Sequence, residues 1–430
     1  MLEKLKDILS KSKNIDGWKI VEDNVEDREL FFIKKKLDMN RAKKIRNFYL
    51  TVYKDFEENG KKYRGSAEVK VHPTMNDKEI EEVIDNSTYS AKFVKNPWYP
   101  IVKPVDEDST DYNEDIVFEK LYSLAESLYS SDMYKEGWIN SSEFFLNHIK
   151  RRIVNSHGVD CSYEKNRLFT EYVTTWKNKE KEEFELYWQI LTSKFSEIFI
   201  RKRSNDSLLQ TAYRANATTT PSDENIPVLI SGNNMLSLIS MFLAKASARM
   251  IYEKISTFSI GDNVQGEEIQ GDTLSITIDP SIEGSYYSVP YDKDGLPLEK
   301  VNVIENGVIK RLWGSTRYSY YMNTEPTGSI TNIFVEPGQI SLDNLRSNKY
   351  LEVREFSDFQ TDHTTGDFGG EIRLGWYCDG KNRIPVTGGS ISGNLDDIKK
   401  DFLLSSETLT AKNYSGPFAI KLNNISISGS

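Results

Sequence analysis

Between Asn233 and Lys254 the chain reads as one helix whose central positions, Leu236, Leu238, Ile239, Met241, Phe242, Leu243 and Ala244, are apolar nearly all round. A helix with no polar face has nothing to offer water, so it belongs inside a domain. From Ile226 onward the surrounding sequence alternates short apolar runs with tight, glycine-rich turns. Sheet wrapped on a buried helix is therefore the architecture expected for this part of the chain.

Upstream the pattern changes. Leu2, Leu5, Ile8 and Leu9 share one helical face, so an amphipathic helix opens the chain. Strand-like runs follow at Glu29–Lys35, Ile45–Phe56 and Tyr63–Val71, the last two joined through Asn59-Gly60, a strong hairpin signal. Asn76, with Glu79 three residues on, predicts a capped helix that turns Ile80, Val83 and Ile84 inward. Together these make a small α+β domain expected over residues 1–95. Pro97, Pro100, Pro104 and the acidic run Asp106 to Asp108 mark 96–115 as an extended linker or a loop laid over a neighbour. A middle domain of helix and hairpins is expected over 116–222. It holds a helix from Ile116 to Ser130 and four strands around Ser142–Ile149, Arg151–Val154, Val159–Tyr163 and Leu168–Trp176, followed by a charged helix or loop. The third domain, 223–430, is the mostly antiparallel β unit around the buried helix, and the fold class is α+β.

Charge excludes one class of partner. Acidic residues outnumber basic ones, 65 against 55, whereas a duplex-DNA binder needs a basic stripe to displace counterions. The short basic runs Lys34-Lys35-Lys36 and Arg201-Lys202-Arg203 read as solvated edges, so no nucleic-acid partner is expected. Two cysteines, Cys161 and Cys378, make no disulfide framework. The charged N-terminus has no signal-peptide core, and Met235 to Ala246 is too short for a bilayer core of roughly 30 Å. A cytoplasmic protein with no membrane contact is the expectation.

Short turn motifs run in order through the C-terminal part. They include Asp279-Pro280, Asp292-Lys293-Asp294-Gly295, Ile304 to Gly307-Val308, Asn332 to Gly338, Gly366-Asp367-Phe368 and Gly388-Gly389 to Gly393-Asn394. Asn155-Ser156-His157-Gly158 stands upstream of them. None is specific alone, but the ordered set resembles the TldD/PmbA family, also called modulator of DNA gyrase. The resemblance implies a pair of subunits in a peptidase acting on unfolded or extended peptides: a TldD-type subunit that holds zinc and a TldE/PmbA-type sister.

In TldD-type subunits the buried helix carries an H-E-x-x-x-H motif, two imidazoles for the metal and a Glu as general base. Anchored on Pro227 to Gly232, the matching stretch here puts Ile239 and Ala244 in the histidine places and Ser240 in the Glu place. No histidine occurs between His157 and His363, and the tail from Leu409 to Ser430 has no Cys to match the family's late ligand. The resemblance therefore implies the TldE/PmbA-type sister, with no catalytic residue, metal or cofactor of its own. Zinc is expected only in a TldD-type partner, with homodimerisation the alternative. An extended peptide would pair with an exposed sheet edge, and the strands near Thr331–Val335 and Glu371–Trp376 are candidates for that wall.

Two other readings stay open. One is a stand-alone homodimeric peptide-binding protein. The other is an independent hydrolase built on Asp362, His363 and Asp367, with Glu371 nearby, although a glycine-rich turn with solvated side chains explains the same residues. Asp292-x-Asp294-Gly295 lacks the later Glu of a calcium loop and reads as a hairpin turn. Gly388 to Asn394 lacks the Lys of a phosphate loop and reads as turn chemistry. Ser156 and His157 are expected to diverge, and Cys161 to be a packed strand residue.

Overall fold

The computed structural model describes residues 1–105, 117–222 and 226–429. The N-terminal half contains α1 (Leu2–Lys11), β1 (Gly17–Ile33), β2 (Lys36–Glu58), β3 (Lys61–Val71), α2 (Asp77–Ala91), α3 (Lys120–Tyr129), β4 (Gly137–Asn155), β5 (Asp160–Lys177), β6 (Glu183–Thr192) and α4 (Glu197–Ala215). Its strands form one six-stranded antiparallel sheet in the order β3-β2-β1-β4-β5-β6. β1 pairs with β4 along Lys19–Ile33, so the sheet crosses the boundary expected between the 1–95 and 116–222 units.

Strand lengths also differ from expectation. The run expected at Glu29–Lys35 belongs to a strand that starts at Gly17, and the four short runs of the middle unit merge into β4 and β5. Ion pairs along one face of β1 explain how charged sequence continues the ladder. Arg151 grips Asp23 with two bonds of 2.6 and 2.7 Å. Lys43 lies 2.8 Å from Asp27 and 3.1 Å from Glu29. Cross-strand opposite charges stabilise a sheet that no apolar alternation announces. α4 is the charged helix expected after Trp176, but β6 precedes it, because Leu186, Trp188 and Ile190 alternate inward.

Helices cover the opposite face. α1 and α2 pack over Ile20, Leu50 and Val52, and α3 and α4 over Leu30, Phe144 and Leu168. The capping box at Asn76 and Glu79 is present, with bonds of 3.0 and 2.8 Å. α3 begins at Lys120, after the expected start, and Ile116 and the acidic run at 106–108 lie outside the described residues. Residues 96–105 do lie over the sheet: Pro97 bridges Tyr63, and Arg64 donates to the Tyr99 carbonyl at 2.6 Å.

The C-terminal half continues with β7 (Thr218–Thr219), β8 (Val228–Ser231), α5 (Met235–Lys245), α6 (Ala248–Tyr252), β9 (Ile276–Ile278), β10 (Val301–Glu305), β11 (Val308–Ile309), α7 (Thr316–Tyr321), β12 (Ile333–Val335), α8 (Leu342–Leu345), β13 (Lys349–Thr361) and β14 (Asp367–Asp379). Then follow β15 (Arg383–Thr387), β16 (Ser390–Asn394), α9 (Leu395–Ile398), β17 (Leu403–Leu404), β18 (Thr408–Ala411), β19 (Tyr414–Pro417), β20 (Ala419–Leu422) and β21 (Ser426–Ser428). One sheet runs β11-β10-β9-β12-β19-β18 and the other β17-β20-β8-β13-β14-β15-β7, with β16 paired to β14 and β21 to β16. Leu238, Ile239, Phe242 and Leu243 of α5 share one core with Ile276 and Ile304 of the first sheet and Ile230 and Val353 of the second.

The helix expected over Asn233–Lys254 is broken at Ala246-Ser247. There the backbone turns to bond with Trp313: Ala248 N–H donates to the Trp313 carbonyl at 2.9 Å, and Trp313 N–H to the Ala246 carbonyl at 3.1 Å. The carbonyls left over at the end of α5 find other donors, as buried helix ends require. Leu243 receives the Trp313 indole N–H at 2.7 Å and Lys245 the Ser256 hydroxyl at 2.8 Å.

The two strands expected as a peptide-binding edge are interior. β12 is flanked by β9 and β19, and β14 by β13 and β15. Gly388 and Gly389 do form a turn, with φ of 76° and 72°, but Ser390–Asn394 continues as β16 against β14.

Candidate functional site

A cleft of about 520 Å³ lies between the two halves. The sheet contributes Lys19 from β1, Thr51 and Tyr53 from β2, and Asn155 from the end of β4. Tyr99 to Val102 form a second wall, and Ser247, Lys293, Asp294 and the stretch from Trp313 to Tyr318 close the third.

Two turns named by the sequence build this cleft. The Asn155 carboxamide organises its own turn by accepting from the His157 and Val159 N–H groups at 2.9 and 3.1 Å, and it donates to the Val102 carbonyl at 2.8 Å. Gly158 supplies the φ of 96°. Asp292 does the same in the C-terminal half, accepting from the Asp294 and Leu296 N–H groups at 2.8 and 3.0 Å. Gly295 has φ 82° and no room for a side chain, since a Cβ there would lie 2.6 Å from Val159. The Asp292 turn is thus pressed onto the N-terminal sheet. Lys19, almost fully buried, pairs with Asp294 at 2.5 Å across the joint.

Burial and the neighbouring Asp294 carboxylate push the Asp292 carboxyl up to about 6, although two backbone donors oppose the shift. Lys165, on β5, fastens the same joint by donating to the carbonyls of Ser285 and Ser288 at 2.8 and 2.5 Å. Sequence reasoning passed over Lys19 and Lys165, because a lysine inside a charged strand carries no signal until its partner is placed.

At the cleft's rim, aromatic rings link the 97–99 segment to α7. Tyr99 meets Tyr321 and Trp98 meets Tyr320 edge-on at 6.2 and 5.7 Å, and the Tyr321 hydroxyl donates to the Pro97 carbonyl at 2.5 Å. The Arg317 guanidinium lies 4.5 Å over the Tyr318 ring. Such a cleft offers aromatic faces beside donors and acceptors, and none of its lining residues is a histidine or cysteine.

The remaining motif residues lie elsewhere and hold turns. Asp279 accepts from the Ser281 N–H and hydroxyl at 2.8 and 2.7 Å. Buried Asn332 ties that turn to Ser285 and Ser288. Gly307 and Gly366 take φ of 80° and 84°, a Cβ on Gly338 would meet the Leu404 carbonyl at 2.0 Å, and one on Gly393 would meet Ile425 and Phe368. Asp367 accepts from the Asn394 amide at 2.8 Å. Asp362 caps the β13–β14 connection through the Thr364 and Thr365 N–H groups, and both aspartates are fully exposed. Among the described residues no group of three or more His, Cys, Asp or Glu side chains is placed to hold a metal ion. Ser156 and His157 do not diverge as expected: the hydroxyl lies 3.2 Å from the imidazole Nδ1 on an exposed turn. Cys161 is partly buried in β5, where burial pushes its thiol up to about 12, which leaves it protonated and unreactive.

On α5, Ile239 is fully buried, Ala244 nearly so, and the Ser240 hydroxyl is committed to the Ser237 carbonyl at 2.7 Å. This stretch does not fit a zinc ion, because neither Ile nor Ala has a lone pair and the one oxygen is already used. No helix among the described residues is long and apolar enough to cross a membrane, which says nothing of a β-barrel.

The family model for the PmbA/TldA metallopeptidase C-terminal domain matches residues 223–429. A metalloprotease PmbA homolog of Haemophilus influenzae is 26% identical over 215 residues, 48% of this chain and 47% of that protein. A zinc metalloprotease TldD homolog of Saccharolobus solfataricus is 24% identical over 214 residues, 44% of this chain and 47% of that protein. The match spans about half the length of these curated relatives. The solved structure of TldE from Thermococcus kodakarensis has the same fold, with a TM-score of 0.80 at 17% identity, covering 99% of this chain and 100% of that one.

Proposed function

The chain belongs to the TldD/PmbA family of metallopeptidase-like proteins, and on that premise we propose that it is a TldE/PmbA-type subunit of a cytoplasmic two-subunit peptidase. The observation that carries this reading is the donor-free face of α5, where Ile239 and Ala244 are packed in the core and Ser240 is spent on its own helix. A TldD-type partner supplies the metal and its general base. This chain supplies part of the enclosure in which an unfolded peptide is held, and the cleft between its halves, with its aromatic rim and mixed charges, suits an extended peptide of varied sequence.

The test is co-purification of this chain with a TldD-type partner, followed by peptide cleavage with the partner alone and with the pair. The expected result is a stable complex that cleaves faster than the partner alone, with zinc found only in the partner. Equal cleavage by the partner alone, or stoichiometric zinc held by this chain in isolation, would overturn the assignment.

A further inference from the structure

Much of the charge that lines the cleft between the halves is already paired. Four cations face it, Lys19, Arg249, Lys293 and Arg317, against two acids, Glu68 and Asp294. Lys19 and Asp294 neutralise each other at 2.5 Å. Arg249 is drawn to Glu253, which stands outside the lining, at 3.0 Å. Glu68 is exposed and accepts from the Thr51 hydroxyl at 3.3 Å. Arg317 and Lys293 are left over, since among the described residues neither has a carboxylate at ion-pairing distance. A chain whose net charge is −10 thus turns unneutralised positive charge into its cleft, and low-dielectric walls strengthen the field of such charges.

Arg317 is the better placed of the two. It is half-buried, and its guanidinium lies 4.5 Å from the Tyr318 ring and 5.9 Å from the Tyr99 ring. Those rings belong to different walls, Tyr318 to α7 and Tyr99 to the segment that lies over the N-terminal sheet. The cation is therefore held at the junction of two walls and does not swing freely in solvent. Its Nη2 donates to the Tyr318 hydroxyl at 2.8 Å. A guanidinium has five N–H donors along its edge, so most of that edge is open to a carboxylate, which it meets in paired bonds. Lys293, exposed on the Asp292 turn, adds a second cation without a rigid mount.

Resting on the reading of the cleft as a holder of unfolded peptide, we propose that it selects acidic segments: an Asp or Glu side chain lies on Arg317, and a further carboxylate is met by Lys293. The rest of the segment lies against the aromatic walls and hydroxyls, which set little demand on sequence. A single-stranded nucleic acid also uses arginine and aromatic faces. It would bring a phosphate at every residue, however, and Glu68 and Asp294 in the same lining oppose an unbroken row of negative charge.

The test is calorimetric titration of the whole chain with three unstructured peptides and with oligothymidylate. The peptides share their Ser, Gly, Val and Tyr positions and differ only at spaced positions filled with Glu, Gln or Lys. The Glu peptide is expected to bind about tenfold more tightly than the Gln peptide, as charge-assisted bonds predict, and the Lys peptide more weakly than both. Arg317→Gln should bring the Glu and Gln peptides to within about twofold of each other. Lys293→Gln, which removes an exposed cation, should weaken the Glu peptide by about twofold. The Gln peptide should be indifferent to both changes. If Arg317→Gln does not fold, judged by circular dichroism, Lys293→Gln and the peptide series decide. Equal binding of the Glu and Gln peptides, or a preference for Glu that survives both substitutions together, would overturn the acidic selection and leave the cleft a holder of peptide. Tighter binding of oligothymidylate than of the Glu peptide would overturn the class of guest. Binding of none of the three peptides would overturn the peptide reading of the cleft and this proposal with it.

Discussion

The two halves of this chain stabilise sheets by opposite means. In the N-terminal half, long strands run through charged sequence because carboxylates of β1 find cations on the next strand, as Asp23 does with Arg151 and Asp27 with Lys43. In the C-terminal half, strands as short as Ile276–Ile278 persist because they close on an apolar helix and because side-chain-capped turns hold their ends. Charge pairing demands long continuous ladders, whereas a buried helix lets the sheet be cut into pieces. A chain can therefore carry its recognisable turns in one half and little beyond length in the other.

The largest expected effect tests the C-terminal device. Phe242, fully buried and 5.8 Å from the Phe402 ring, should cost about 3–5 kcal/mol when changed to Ala, read by urea denaturation. A loss under about 1 kcal/mol would mean that the helix is not the pillar of that half. The counterpart in the N-terminal half is Arg151→Met, which leaves the mostly buried Asp23 carboxylate without its two bonds. The expected loss is about 1.5–3 kcal/mol, and it should shrink when Asp23→Asn is added.

A smaller effect, on the order of 1–2 kcal/mol, concerns the joint between the halves and depends on pH. The Asp292 carboxyl is held above its ordinary range, so the folded protein takes up a proton that the unfolded chain gives up. Its contribution to stability is fully present below about pH 4 and is lost as pH rises through about 6. Asp292→Asn keeps an oxygen for both backbone donors but does not titrate. Thermal melts of the two proteins should therefore favour the Asn variant progressively from pH 4 to pH 7. Parallel curves would show that Asp292 is not strained by its burial. The smallest effect is a control: Lys44→Ala removes a largely exposed partner of Glu26 and should change stability by less than about 0.5 kcal/mol.

Legibility followed the same division. The turns at Asn155 in one half and at Asp292 and Gly295 in the other could be read because each of these residues satisfies a local backbone need that few others meet. The buried helix was legible from its lack of a polar face, but its end at Ser247 was not, since the segment that interrupts it arrives with Trp313. In the N-terminal half, Asp23 and Arg151 stand 128 residues apart, and nothing local says that each completes the other. The cleft was hidden for that reason. Lys19 meets Asp294 only once both halves are in place.

Trp313 stands at the point where the interior of the C-terminal half becomes a wall of the cleft. Its indole N–H holds the Leu243 carbonyl, and its backbone holds Ala246 and Ala248. Anything entering the cleft meets a ring that cannot swing aside without stripping the end of a core helix of its donors. On that side the cleft is an anvil, so a guest has to adapt its own shape to fit.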